Sequence, residues 1–164
     1  MKSSPTTRTA LPRSLAGAAA LALSALLAPP VAVAADIGPA TKAAADRLAE
    51  ARSEIAAKRW PAALAALKAV NATDSADWNN LMGYVLRKGT PPDLDAAERH
   101  YDEALRLDPR HRGALEYSGE LYLMRGDLPR AEQRLAVLDK LCFMPCEEYT
   151  DLKEAITRFK AGKR

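Results

Sequence analysis

The chain has 164 residues, is 48% hydrophobic with only 5% aromatics, and carries a formal charge of +3. That length bounds it to one ordinary domain or a short repeat array. Much of the apolar content is alanine, which favours closely packed helices and disfavours a β-sandwich, whose strands need Val, Ile, Thr and aromatics.

The first 35 residues read as an export signal. Lys2, Arg8 and Arg13 form a positive head, Leu15 to Ala28 is a short apolar run, and Ala32-Val33-Ala34 supplies a small-x-small cleavage pattern. Cleavage is expected near Ala34/Ala35, giving a periplasmic protein with no stable membrane insertion. No cysteine lies near that site to carry a lipid anchor. Removing those three cations from the 24 basic residues leaves 21 against 21 acidic ones, because every Asp and Glu lies at or after Asp36. A neutral mature chain gives no support for nucleic-acid binding. Residues 36–43 read as a flexible lead-in.

An internal period sets the architecture beyond that point. Segments beginning at Trp60, Leu94 and Leu128 are 34 residues apart. In this register Ala63, Ala97 and Ala131 coincide, as do Leu67, Tyr101 and Leu135, and Val70, Ala104 and Leu138. Their spacing of 3, 7 and 10 from the segment start marks one helical face. Pro61 and Pro129 also coincide, in a first helical turn, where a missing N–H costs nothing. Ala51, Gly83 and Gly119 fall where a small residue lets the two helices of a pair approach closely. Their intervals, 32 and 36, are explained by two extra residues in the second pair's turn, Gly89-Thr90-Pro91-Pro92.

These positions resemble the tetratricopeptide repeat family. The match rests on Gly83, Ala97, Tyr101, Ala104 and Pro109 in the second repeat and Gly119, Tyr122, Gly126, Ala131 and Leu138 in the third; the first keeps Ala63 and the apolar stripe. The resemblance implies an all-α solenoid of antiparallel helix pairs with a concave groove. The repeats span about 44–75, 76–110 and 111–144. The expected helices are 40–57, 61–71, 76–88, 93–107, 111–125 and 128–142. A capping helix over 146–160 shows its apolar face at Tyr149, Leu152, Ile156 and Phe159.

Cys142 and Cys146 are the only cysteines, and an even count in an exported chain reads first as a disulfide. Pro145 disfavours helix at Met144, so the bridge would staple the cap to the third repeat. The alternative is a thiol-redox or copper-handling factor using the same pair on the same scaffold. The spacing fits neither a thioredoxin-like motif nor haem attachment, and no further Cys or His pair completes a zinc site, so no cofactor and no metal site is assigned.

No phosphate loop, nucleophile elbow or zinc-protease motif occurs, and the chain is read as a non-enzyme. His100 and His111 sit among charged neighbours and are expected on the solvated surface. Glu98 is expected to pair locally with Arg99, near Asp102. In the repeat family the first helix of each pair lines the groove. The resemblance therefore implies Arg52, then Asn80, Tyr84 and Arg87, then Glu116 and Glu120 as groove residues. Asn80, Tyr84 and Arg87 share a face on periodicity alone. These positions do not reproduce the family's clamp for chaperone C-terminal carboxylates. The reading is a periplasmic scaffold binding a segment of a protein partner, with Tyr84→Ala plus Arg87→Ala expected to weaken binding and leave helicity intact. Apolar surface near the degenerate first helix leaves self-association open.

Overall fold

Seven helices make up the described part of the chain, residues 47–162 of a computed structural model, and no strand occurs among those residues. They are α1 (Ala49–Ala56), α2 (Trp60–Val70), α3 (Ala76–Lys88), α4 (Leu94–Leu107), α5 (Arg112–Met124), α6 (Leu128–Leu141) and α7 (Glu147–Lys160). From α2 onward each boundary lies within one residue of the expected one. The export signal, its cleavage site and the expected start of the first helix lie outside the described residues.

Local chemistry explains the starts. Ser75, Asp93, His111 and Asp127 precede α3, α4, α5 and α6, and the side chain of each accepts a bond from a backbone N–H three residues on. Such caps satisfy donors that have no partner within the helix, for about 1 kcal/mol each. Pro61 and Pro129 sit in the first turns of α2 and α6. Only the second pair has a long turn, from Gly89 to Asp93, and it contains a cis Thr90–Pro91 peptide.

Each helix packs on the next in the chain; α3 also meets α5, and α5 meets α7. The stripe set by the 34-residue period is the core: Ala63, Leu67, Ala97, Tyr101, Ala104, Ala131 and Leu138 are fully buried. A buried leucine such as Leu67 or Leu138 contributes about 2 kcal/mol. One apolar cluster joins α1 and α2 to Trp78, Met82 and Val85 of α3, and a second joins α4 through α7; Leu86 touches both. Trp78 ties the first cluster together, its Nε1–H donating to the Leu67 carbonyl at 2.7 Å.

The small residues act as expected at one site and differently at another. A Cβ on Gly83 would lie 2.6 Å from the Tyr101 ring, so α3 and α4 touch there backbone to side chain. At Gly119 the nearest atoms belong to Leu152 of α7, also at 2.6 Å, and not to the partner helix α6. The last helix is therefore seated in the notch of the third pair, with Leu152 fully buried.

Three surface expectations are corrected. His100 is half-buried edge-on against Trp78, with ring centroids 5.6 Å apart. Its Nδ1 lies 3.0 Å from Asn79 Oδ1, whose amide is oriented by Nδ2 donating to the Thr73 and Ser75 carbonyls. His111 caps α5 through Nδ1, so its neutral ring carries the proton on Nε2, which donates to Asp77 Oδ1 at 3.0 Å. Glu98 reaches across elements to Arg125 at 3.1 Å and Arg130 at 2.8 Å, and not to Arg99. The large apolar side chains exposed among the described residues are Met124, Val137, Phe143 and Met144, all in the C-terminal half and none beside the first helix, where Leu48 and Ala51 are buried.

Candidate functional site

The odd-numbered helices α3, α5 and α7 lie side by side and bring together most of the expected groove residues. Asn80, Tyr84 and Arg87 project from one face of α3, and Glu116 and Glu120 from α5. Arg52 is not among them. It is exposed on α1 and paired with Asp77 at 3.2 Å, because an eight-residue α1 leaves it beside the start of α3.

The site's centre is aromatic. Tyr84 and Tyr117 are both partly buried, with ring centroids 4.7 Å apart, and Trp60 of α2 meets Tyr84 edge-on at 6.2 Å. Arg87 lies beneath this shelf. Its guanidinium carbon is 5.4 Å from the Tyr84 centroid and 5.6 Å from that of Tyr117, within cation–π reach of both rings from one side. Its Nε donates to the Tyr101 hydroxyl at 3.3 Å, and its Nη2 lies 2.7 Å from Glu120 Oε2. That contact ties the guanidinium to the carboxylate as an ion pair. With its side chain 4% exposed, Arg87 is spoken for by Glu120 and two rings. Arg87→Ala is no neutral probe of binding, because it strands a partly buried Glu120.

Asn80 and Glu116 are the other largely buried polar side chains of this face. Asn80 is 7% exposed and its Oδ1 finds no hydrogen-bond donor. Its amide reaches to α5 at Gly113, where Nδ2 lies 3.2 Å from the position a Cβ would take. Glu116, one turn further along α5, is 6% exposed and makes no ion pair among the described residues. Burial pushes its carboxyl up to about 8, and the nearby Glu120, Asp151 and Glu148 push the same way. Burial also holds the Tyr84 hydroxyl above its ordinary value and lifts that of Tyr117 to about 12.

Clefts flank the shelf. One, of about 420 Å³, lies between the C-terminal ends of α3, α5 and α7, with Leu123, Met124 and Phe159 in its walls. Another, of about 590 Å³, is lined by Tyr84 with Ile55 and Trp60, and shares Arg87 and Lys88 with the first.

Sequence reasoning missed Trp60 and Tyr117. The 36-residue offset aligns Tyr117 with the core residue Leu81, which hid it; its i, i+3 relation to Glu120 was the available signal.

The repeat-signature residues have structural work. Ala63, Ala97, Ala104 and Ala131 are fully buried, Tyr101 fills the space over Gly83, and Gly126 takes φ +77° at the turn after α5. Tyr122 is buried under Arg130, whose guanidinium carbon is 4.2 Å from the ring centroid. Pro109 follows the end of α4 in an exposed turn.

Cys142 closes α6, Cys146 opens α7, and the two are joined in a disulfide. In that state neither sulfur is the thiolate that copper(I) binding requires. Among the described residues no group of three or more His, Cys, Asp and Glu side chains converges as metal ligands would, and no helix is long and apolar enough to cross a membrane. Comparison with known proteins adds no name: no family model matches this chain, and no curated protein matches it.

Proposed function

We propose that this chain is an exported, non-enzymatic scaffold, a short tetratricopeptide-like array that holds an extended segment of a partner protein along the α3/α5/α7 face. The 34-residue period and the small and aromatic signature positions support the repeat reading. The positive head, apolar run and small-x-small pattern of the first 35 residues support export to the periplasm.

The observation that carries the binding reading is the tyrosine shelf. Tyr84 and Tyr117 lie 4.7 Å apart on neighbouring helices, each within cation–π reach of Arg87 and only partly buried. Rigid, amphipathic rings of this kind give contact area at low entropic cost and dominate binding surfaces. Beside them the Asn80 carbonyl lacks a donor, which a backbone N–H of an extended segment supplies.

The test is site-specific photocrosslinking in the periplasm. A crosslinker at Tyr117 should capture a discrete partner, and Tyr84→Ala with Tyr117→Ala should abolish retention of that partner while circular dichroism stays unchanged. Equal capture from a crosslinker at Lys68, on the exposed side of α2, or full retention by the double variant, rejects this face.

A further inference from the structure

The shelf has a basic side, where Lys88 Nζ lies 5.9 Å from the Tyr84 centroid, and an acidic side toward α7. Glu116, Glu120, Glu148 and Asp151 approach one another from α5 and α7, against two guanidiniums. Arg87 is paired with Glu120, and Arg112 with Glu148 at 3.5 Å. That leaves Glu116 and Asp151 without an ion pair among the described residues, and Glu116 is almost wholly buried. Such a carboxyl is costly to keep and is normally paired or replaced.

The second observation is independent of that cluster. The 93%-buried Asn80, on a different helix, turns its amide to α5 one turn before Glu116 and leaves Oδ1 with no donor. A carbonyl without a donor beside a carboxyl without an ion pair suits a ligand rich in N–H. The adjoining faces of Tyr84 and Tyr117 favour a cation as well.

We infer that the partner segment is basic, and that a lysine or arginine side chain from it seats at Glu116, flanked by Tyr117 and the Asn80 carbonyl. This rests on the shelf reading and specifies its ligand. The free carboxyl, held up to about 8 by burial and by Glu120, Asp151 and Glu148 against the weaker pull of Arg87, is largely protonated at neutral pH. An arriving cation favours its ionised form, so binding releases a proton.

Isothermal titration of the full, disulfide-bonded chain with acetylated pentalysine amide tests this, using the same peptide with every lysine acetylated, and pentaglutamate, as comparisons. Pentalysine should bind at least tenfold more tightly than either, with close to one proton released at pH 7. Glu116→Gln should lose that tenfold preference and the proton release while unfolding at the same or higher temperature. Absence of pentalysine binding, equal affinity for the acetylated-lysine peptide, or an unaffected Glu116→Gln variant overturns the inference. If the uncharged peptide binds and Tyr84→Ala with Tyr117→Ala removes that binding, the shelf stands and only its basic ligand falls. If no peptide binds and the Tyr117 crosslinker captures nothing, both fall.

Discussion

Arg87 Nη2 lies 2.7 Å from Glu120 Oε2, joining α3 to α5 with an arginine side chain 4% exposed to solvent. The pair fixes the floor of the tyrosine shelf, and its energetics are asymmetric. Glu120→Ala leaves a buried guanidinium with two rings and one phenol, and should cost about 3 kcal/mol. Arg87→Leu with Glu120→Leu, which removes both charges, should cost clearly less. Urea unfolding of the three proteins checks this, and a single-variant loss below roughly 0.5 kcal/mol would show the pair to be solvated.

Gly83→Ala sets propensity against packing. In an exposed helix the change stabilises by up to about 1 kcal/mol. Here the new methyl meets the Tyr101 ring at 2.6 Å, in a wall built of backbone and a fully buried side chain. A net loss of roughly 1–3 kcal/mol is expected, with altered near-UV dichroism. Gly126→Ala should cost about 1 kcal/mol by another route: nothing lies within 4 Å, but φ is +77°.

Glu116 should make stability depend on pH. Its carboxyl is raised in the folded state by burial and by Glu120, Asp151 and Glu148, so the folded chain holds a proton that the unfolded chain releases. Its contribution is complete below the ordinary carboxyl range and is lost as pH rises toward about 8. Stability should therefore fall by up to about 3–4 kcal/mol between pH 5 and 8. Glu116→Gln should flatten that slope in thermal melts at stepped pH. An identical slope in the variant would assign the effect to other groups.

Removing the disulfide should matter little to the fold and measurably to its stability. A loop this small constrains the unfolded chain by about 2 kcal/mol. Cys142→Ser with Cys146→Ser should keep full helicity and unfold correspondingly sooner. Thiol titration of the native chain should find no free thiol.

The helices were legible because the 34-residue register and its apolar stripe recur in each pair, while the caps Ser75, Asp93 and Asp127 that fix their starts come from the structure. Gly83 opposite Tyr101 was legible for the same reason, since the repeat register places them in one pair. Gly119 was not. Two helices compete for that notch, and only the docking of α7 decides that Leu152 fills it. On the candidate face, periodicity alone put Asn80, Tyr84 and Arg87 together. The fate of Arg87 depends on which side chain α5 presents opposite it, a long-range register that no helical period encodes. His100 and His111 were misread similarly: charged sequence neighbours say nothing of Trp78 and Asp77, which meet them from another helix.

The bond from Trp78 to the Leu67 carbonyl gives the molecule a built-in optical gauge. The chain has only two tryptophans, and they sit at different joints. Trp78 is 4% exposed and stitches α2 to α3, so its emission should redden and brighten or dim only when the N-terminal pair peels away. Trp60 stands at the edge of the tyrosine shelf, where an arriving segment would change its surroundings and leave Trp78 silent. Replacing either one with phenylalanine turns the other into a single-site reporter. Fraying of the array's first pair and occupancy of its binding face then become two separate colours of one spectrum.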